Sequence, residues 1–449
     1  MRGNDPMSRE LSWLVPVAQV LVAVWLTVLV FRSLRSLSRG DRRSILFVEI
    51  VYYFFFGLPV VLDLTLGAPV FTYQRGFAMA QADAATNLIY LGYIAAVPLV
   101  FRRMGGPPRF HEPPMRVAAL SRWLQVFAWA SLLSLPFVLT LAPDPSEYAQ
   151  YAVYVGKGGG VYRSYQNVVT FAATLAVISG VLLLTAPNTL APVRIAVLPF
   201  LALGVWLHGK RSIVALAVLL TLYLLWTRGV LRGRRFLVAI IASATALGVF
   251  SAAYQSKLRR LEDTPVTRDT RLGASPAYLN FRIDYGRDAI TRQTIFAELH
   301  PDQLHILDYR MQSIVFDLTF FVPRKMWPGK PYPYAVYATA AMFDMPARDL
   351  GWGTTTSWLE EAIANLGWFG LLVGPLLPAL VCRIGDRHRT PFAGLLTVSV
   401  ASLLLILQIV AFLPFIALWL VTVVRRSRAP VVEPGGSAPP LTGLARRRR

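Results

Sequence analysis

The sequence predicts an all-α, polytopic integral membrane protein with one large loop on the outer face of the membrane. Of its 449 residues, 55% are hydrophobic and only 15% are charged, and the mean hydropathy is +0.50. Soluble globular domains are about one-quarter charged, so this composition excludes them. Apolar runs close to the length of a bilayer-crossing helix recur along the chain, as expected of helices packed in lipid.

These runs predict about eleven transmembrane helices, each near the length that crosses about 30 Å of hydrocarbon. Residues 1–253 hold the first group of spans, 254–356 form the large loop, 357–424 hold the remaining spans, and 425–449 form a basic, disordered tail. The predicted spans are 11–31, 44–66, 86–101, 123–142, 165–186, 194–207, 212–227, 236–253, 357–381, 391–407 and 410–424.

Clusters of arginine orient the chain, because basic loops stay on the cytoplasmic side of a membrane. The net charge of +21 comes mostly from such clusters beside apolar runs, and orientation explains them better than nucleic-acid binding does. They alternate correctly only with the N-terminus outside and the C-terminus inside, which places the large loop on the outer face. The clusters lie at 32–43, 102–122, 228–235, 383–389 and 446–449.

The apolar stretch 391–424 allows two interpretations. One strongly tilted helix would place the basic tail outside, whereas two short helices that turn near Gln408 keep it inside. We favour two helices, so that the arginines of the tail contact anionic lipid headgroups.

Three arginines of the large loop, Arg282, Arg287 and Arg292, recur every five residues. The loop is nearly balanced in charge, although outer loops normally carry few basic residues. One interpretation is salt bridging with neighbouring acids. The other is an anionic ligand, since guanidinium groups bind phosphate through paired hydrogen bonds and stay charged. The neighbouring acids are Asp284, Asp288 and Glu298.

The segment 323–331 has the sequence Pro-Arg-Lys-Met-Trp-Pro-Gly-Lys-Pro. Its prolines predict an extended backbone from which Arg324, Lys325 and Lys330 project around Trp327. A rigid basic hairpin at the membrane surface suits a lipid diphosphate, with the tryptophan at the interface or stacked on sugar. The alternative is a proline-rich connector whose basic residues meet lipid headgroups.

Lys210 and Arg211 form the second basic element on this face, in a turn so short that both lie close to the membrane plane. As one interpretation, they are snorkelling anchors. If the fold brings the turn under the large loop, we expect Arg211 and Arg324 to bind one diphosphate together.

Glu360 and Glu361 open the span that follows the loop. Carboxylates at the edge of hydrocarbon are costly, so they commonly line a cavity or do chemistry. Partial burial would suit Glu361 to act as a general base. The alternative is that the acids only favour the positive end of the helix dipole. At helical spacing, the stripe that carries Glu361 also holds Trp358, Asn365 and Trp368.

The sequence lacks the common motifs of nucleotide-binding and metal-binding sites. The sequence has neither a Walker motif nor a GxGxxG turn, and its single cysteine, Cys382, excludes a disulfide framework or a cysteine-based metal site. His300, His305 and Asp308 are too loosely spaced to indicate a metal. No Asp-x-Asp pair lies on the predicted outer face, which argues against a metal-bridged nucleotide-sugar donor, and we expect no cofactor.

At these residues the chain resembles the bacterial O-antigen and oligosaccharide repeat-unit polymerases (Wzy-type). Their late outer loop commonly ends in a segment like Pro323-Arg-x-x-Trp-Pro-x-Lys-Pro331, followed by a Gly- and Thr-containing stretch. A helix start like Glu361-x-x-x-Asn-x-Gly-x-x-Gly370 comes next, and the short turn Gly-Lys-Arg at 209–211 is also similar. Elsewhere the chain matches the family only in hydropathy, and Gln408 stands where members often keep a basic residue.

The resemblance implies a GT-C-like glycosyltransferase of the bacterial inner membrane. Such an enzyme polymerises undecaprenyl-diphosphate-linked oligosaccharide repeat units into O-antigen, capsular or exopolysaccharide, with a chain-length regulator and a flippase as expected partners. It implies that Glu361 is the general base and that Arg324 acts on the departing diphosphate. The implied substrate-binding residues are Lys210, Arg211, Arg282, Arg287, Arg292, Trp327 and Lys330.

Two other functions remain open. An O-antigen-ligase-like transferase would share the layout and differ in its acceptor. A transporter or flippase of lipid-linked sugar would have symmetric halves with broken helices and charges at mid-membrane. The charges of this chain lie in one asymmetric loop, which favours an enzyme.

Overall fold

The protein is a helical, multi-pass membrane protein. The computed structural model describes residues 12–69, 71, 73–107, 109, 122–142, 145–149, 160–186, 188–209, 211–261, 278, 282, 285–350, 353–388 and 390–427. Every regular element in these residues is helical. Among them, seven helices are long and apolar enough to cross a membrane, and shorter apolar helices accompany them. The all-α membrane class is confirmed, whereas the count of about eleven spans and the GT-C-like arrangement stay predictions.

The helices follow the apolar runs of the sequence. The winding changes locally at two places. Helix α2 contains a π-helical turn at Tyr53–Gly57, and a 3-10 turn at Gly367–Phe369 separates α13 from α14. The helices are α1 (Leu14–Ser38), α2 (Ile45–Leu66), α3 (Arg75–Ala82), α4 (Ala84–Met104), α5 (Arg122–Thr140), α6 (Gly160–Thr185), α7 (Ala191–His208), α8 (Arg211–Thr227), α9 (Arg234–Leu261), α10 (Asp288–Leu299), α11 (Gln312–Leu318), α12 (Tyr334–Phe343), α13 (Trp358–Leu366), α14 (Gly370–Gly385), α15 (Pro391–Leu403) and α16 (Leu413–Ser427).

The stretch 391–424 forms two helices, as predicted. Helix α15 ends at Leu403, the chain turns through residues 404–408, and a 3-10 turn at Ile409–Phe412 leads into α16. The break at Gln408 is therefore confirmed. Beyond Ser427 the basic tail lies outside the described residues.

Residues 285–350, in the segment expected to be a large loop, contain three short helices, of which α10 and α12 are largely buried. Helix α10 packs against α3, α4 and α13, and α11 packs against α13. Helix α12 is apolar and almost wholly buried. Each of these helices is too short to cross a bilayer, so residues 285–350 fold against the other helices rather than forming an irregular loop.

A buried ion-pair network joins this segment to the spans. Nη2 of Arg282 donates to Oδ2 of Asp63 on α2 at 3.1 Å and to Oδ2 of Asp288 at the start of α10 at 2.6 Å. Arg292, one turn later, approaches Asp288 at 3.3 Å and lies 4.6 Å from the centre of the Tyr90 ring on α4. All five side chains are buried. Helix α10 is therefore held in place by charge as well as by apolar packing.

The network also shifts the ionisation of its members outside the spans. Burial alone would raise the pKa of Asp288, but Arg282 and Arg292 outweigh it and hold that pKa below its ordinary value. Burial likewise disfavours the charge on Arg282, and the carboxylates of Asp288 and Asp63 reverse the effect and raise its pKa. The charges thus depend on one another for solvation.

Arg282→Ala is expected to destabilise the protein by about 3–5 kcal/mol, because it leaves buried carboxylates without a cation. Arg348→Ala is the matched control, since the Arg348 side chain is 80% exposed and its ion pair with Asp349 is at the surface. Thermal unfolding of both variants in detergent measures the difference. Equal midpoints for the two variants would contradict a stabilising role for the network.

Candidate active site

A capping box fixes the start of α13. Ser357 precedes the helix, and its hydroxyl accepts a hydrogen bond from the backbone N–H of Leu359 at 3.3 Å. The Glu360 carboxylate in turn accepts from the backbone N–H and the hydroxyl of Ser357. The hydroxyl of Thr291 on α10 lies 3.5 Å from the same carboxylate. Glu360 therefore stabilises the helix start, as the dipole interpretation expects.

Glu361 has a different environment. Its side chain is 0% exposed, and Oε1 accepts a hydrogen bond from the Ser313 hydroxyl on α11 at 2.7 Å. Nδ2 of Asn365 donates to the same hydroxyl at 2.8 Å and to the Glu361 carbonyl at 2.7 Å. The predicted stripe of Glu361 and Asn365 thus faces α11 inside the protein. Of the tryptophans assigned to that stripe, Trp358 is buried, whereas Trp368 follows in the 3-10 turn and is 44% exposed.

Three buried oxygens here have no hydrogen-bond partner within the described ranges: Oε2 of Glu361, Oδ1 of Asn365 and Oδ2 of Asp317. Asp317 lies one turn after Ser313 on α11, and its carboxyl interacts electrostatically with that of Glu361. Each such oxygen costs about 1–3 kcal/mol, so unpartnered oxygens are rare. We call Ser313, Asp317, Glu361 and Asn365 the acidic cluster. Its three unpartnered oxygens can accept hydrogen bonds from a group that the described residues do not supply.

Burial raises the pKa of Asp317 to about 7. Among the groups that act on the carboxyls of Asp317 and Glu361 in the described part of the chain, none is an arginine or a lysine. Two neighbouring carboxyls without a cation favour a state in which they share one proton. The cluster then offers one carboxylate that can accept a proton near neutral pH.

The basic segment 323–331 folds into a closed turn rather than an extended hairpin. Backbone N–H groups at Met326 and Trp327 both donate to the carbonyl of Pro323, at 3.0 and 3.2 Å. The guanidinium of Arg324 donates to the carbonyls of residues 330 and 331 at 2.6 and 2.8 Å and lies 3.9 Å over the Tyr332 ring. Because the Arg324 side chain remains exposed, the turn presents a fixed cation to solvent.

Lys330 does not project from the segment as expected. Its side chain is only 5% exposed, and Nζ donates to the carbonyls of Phe320 and Val322, both at 2.9 Å. Burial and the nearby Arg324 lower the pKa of Lys330. The ammonium lies 4.8 Å from the centre of the Phe316 ring on α11. Lys330 therefore ties the basic turn to the helix that carries part of the acidic cluster.

Trp327 is 37% exposed, and other large apolar side chains in this part of the sequence are exposed as well. They include Leu318 at 71%, Phe321 at 69% and Met326 at 78%. Apolar and aromatic side chains mixed with basic ones suit the interface between lipid and water.

The arginine series has mainly internal partners. Arg282 and Arg292 both form ion pairs with Asp288. For Asp288, the salt-bridge interpretation is therefore correct. Arg287 is buried, its Nε donates to the carbonyl of Ile406 at 3.3 Å, and its guanidinium lies 5.3 Å from the Phe55 ring centre. Binding of an anionic substrate by these arginines stays a prediction.

The second basic element lies mostly outside the described residues. Lys210 is among those not described, and so is the side chain of Arg211, which begins α8. Gly209, before them, ends α7 with φ of 63°, a conformation that favours glycine. The approach of this turn to Arg324 stays a prediction.

Ser313 and Asp317 were not among the residues that the sequence indicated. Their spacing of four residues places both on one face of a helix, and apart from Gln312 the other residues of that helix, QSIVFDL, are apolar. That pattern was the available signal. The length of α11 concealed it, because a helix of two turns has too few residues for a clear period.

Comparison of the chain with protein-family models, with characterised proteins and with solved structures finds no match. The candidate site therefore depends on its geometry and on the resemblance of its motifs.

Asp317→Asn is expected to stabilise the protein at pH 8 by about 1–3 kcal/mol, because it removes a buried charge. The folded pKa of Asp317, about 7, exceeds the unfolded value of about 3.9. The folded state therefore binds the additional proton, and stability falls as the pH rises from about 4 to about 7 and then levels off. Near pH 4 the variant and the wild type should be equally stable.

Thermal unfolding in detergent between pH 4 and pH 8 measures this difference. Asp349→Asn is the control, because its side chain is 53% exposed, and it should follow the wild-type profile. Parallel profiles for Asp317→Asn and the wild type would show that Asp317 does not titrate in the folded state as described.

Proposed function

We propose that the protein is a membrane glycosyltransferase that joins undecaprenyl-diphosphate-linked oligosaccharide repeat units into a polysaccharide. The observation that carries the proposal is the unpartnered Oε2 of the buried Glu361, beside the second carboxyl of Asp317. A carboxylate so placed is suited to take a proton from a sugar hydroxyl. The motif resemblance to repeat-unit polymerases supports the same assignment.

The reaction needs no added energy source. A hydroxyl of the acceptor glycan attacks the anomeric carbon of the donor, the new C–O bond forms, and the bond from that carbon to the diphosphate oxygen breaks. The electron pair of the broken bond leaves with undecaprenyl diphosphate, and the acceptor proton passes to Glu361. Because the donor carries its own leaving group, neither ATP nor a nucleotide sugar is required.

Asp317 supports the base. With one proton shared between the two carboxyls, the other carboxyl stays ionised. Glu361 is the proposed proton acceptor, because Ser313 fixes its Oε1 and its Oε2 is open to substrate. The hydrogen bond from Ser313 orients the carboxylate before reaction, which reduces the cost of positioning it.

Arg324 neutralises charge that develops on the departing diphosphate. Its guanidinium is exposed yet held by two carbonyls and a ring, so little side-chain freedom is lost on binding. The buried Lys330 supports that turn through its contact with Phe316 of α11 and its hydrogen bonds to the carbonyls of Phe320 and Val322. Trp327 and the exposed apolar side chains near it in the sequence meet the lipid end of the substrate.

The proposed setting is the outer side of a bacterial inner membrane, where a flippase supplies the lipid-linked units and a chain-length regulator limits their number. A ligase-like transferase would use the same groups on a different acceptor. A flippase would move the lipid-linked unit without forming a bond. The experiment below separates these functions.

Glu361→Gln is expected to reduce polymer formation by about 10²–10⁴-fold, the usual contribution of a general base, while single repeat units still reach the cell surface. Arg324→Ala should cost about 10²–10³-fold through lost charge stabilisation. The measurement is the length distribution of surface glycan in a deletion strain of the host, complemented with each variant at matched expression.

Lys325→Ala is the control for Arg324→Ala, because Lys325 is the adjacent exposed basic residue, and it should leave chain length unchanged. Long polymer in both the Glu361→Gln and Arg324→Ala strains would overturn the assigned site. Loss of single units from the surface of the deletion strain would instead indicate a flippase. Normal polymer that is not attached to its final acceptor would indicate a ligase.

A further inference from the structure

A polar cavity lies one helical turn from Glu361. It has a volume of about 250 Å³ and opens between the end of α10, the connection 301–310 and α13. Ala364, three residues after Glu361, forms part of its wall. The proposed chemistry uses none of its lining side chains.

One wall of the cavity is held rigid by an ion pair. Nη2 of Arg310 donates to Oε2 of Glu298 at 2.7 Å, and Nη1 donates to the other oxygen of Glu298 and to the carbonyl of Ala364 at 2.9 Å. The pair links the end of α10 to α13. Because both oxygens of Glu298 already accept hydrogen bonds from the guanidinium, this wall carries little net charge.

A second wall holds Asp308 in a fixed orientation. Its Oδ2 accepts from Nε2 of Gln312 at 2.9 Å, and its backbone N–H donates to Oε1 of the same amide, also at 2.9 Å. This leaves Oδ1 of Asp308 to accept hydrogen bonds from a ligand. The imidazole of His305 is exposed beside it. With a carboxylate at this position and Arg310 already paired, the cavity does not suit an anion.

The remaining lining combines an aromatic ring with aliphatic side chains. Tyr309 is 52% exposed, and Leu304, Ile306 and Leu307 complete the surface. A sugar ring presents C–H groups on its faces and hydroxyls around its rim. Apolar side chains and an aromatic ring pack on such faces, while a few fixed polar groups orient the hydroxyls.

We infer that this cavity binds one neutral sugar residue, with Asp308 accepting from its hydroxyls and Tyr309 packing on its face. The assignment of this sugar to the acceptor glycan deepens the proposed function and rests on it. The connection supports that assignment: Arg310 lines the cavity, and Ser313, three residues later, hydrogen-bonds to Glu361. A sugar bound here would lie beside Glu361, the proposed base that deprotonates the acceptor glycan.

Saturation-transfer NMR on the full chain in detergent tests the inference. The probes are free glucose, galactose, mannose, rhamnose and N-acetylglucosamine, with inorganic phosphate followed by its own resonance as the anionic probe. Wild-type protein should transfer saturation to at least one sugar. Tyr309→Ala and Asp308→Asn should each weaken that sugar's binding about tenfold, a change of about 1.4 kcal/mol, and Leu307→Trp should abolish it by filling the cavity.

Phe321→Ala is the matched control for Tyr309→Ala, because it removes an aromatic ring that is 69% exposed outside the cavity. It should leave sugar binding unchanged. Unfolding midpoints and elution volumes equal to wild type qualify each variant as folded. The inference is overturned if no sugar receives saturation, if the cavity variants bind it as the wild type does, or if phosphate binding is lost in those variants.

The same variants separate this inference from the proposed function. Sugar binding that depends on Asp308 and Tyr309, in a protein that forms no polymer, would refute the polymerase and retain the sugar site. Polymer formation that is unaffected by Leu307→Trp would refute the acceptor subsite and retain the polymerase.

Discussion

The buried ion pairs around Arg282 determine where the candidate groups lie. Asp63 belongs to a membrane span and Asp288 begins α10, so Arg282 fixes the start of α10 on the spans. Helix α10 packs against α13, which carries Glu361. A charged network in a low-dielectric setting is strongly destabilised by the loss of one member. The position of the acidic cluster therefore depends on charges that take no part in its chemistry.

Helix α11 is the second constraint, because it joins two parts of the candidate site that are distant in sequence. Ser313 of α11 hydrogen-bonds to Glu361. Phe316 lies under the Lys330 ammonium, whose hydrogen bonds close the basic turn. A displacement of α11 would alter both the base and the cation. The hydrogen bonds from Lys330 to the carbonyls of Phe320 and Val322 thus support the site, although they occupy its ammonium.

The spans were predictable because long apolar runs have only one favourable solution in lipid, which is a helix. The break at Gln408 followed from the charge of the tail. Helices α10 to α12 were not predicted, since each is short and is stabilised by contacts with other elements rather than by its own pattern. The sequence period also placed Glu361 and Asn365 on one face, but it could not show which helix that face would meet.

The separate roles of Glu360 and Glu361 illustrate the same limit. Both lie in the first turn of α13, where the dipole favours acids equally. Only the positions of Ser357 and Ser313 distinguish them, because one serine caps the helix and the other comes from α11. Lys330 was expected to project, and it is buried because two backbone carbonyls accept from it. Such contacts arise from tertiary packing, which no local pattern records.

The acidic cluster is proposed to accept a proton while a glycan is transferred from a lipid diphosphate. The most direct test is a reaction of the purified full chain in lipid nanodiscs with lipid-linked repeat units isolated from the deletion strain, in the presence of a metal chelator. We expect that one undecaprenyl diphosphate is released for each new glycosidic bond, without nucleotide, and that Glu361→Gln stops both the release and the bond formation. Bond formation that requires a nucleotide, or that continues in Glu361→Gln, would contradict the proposal.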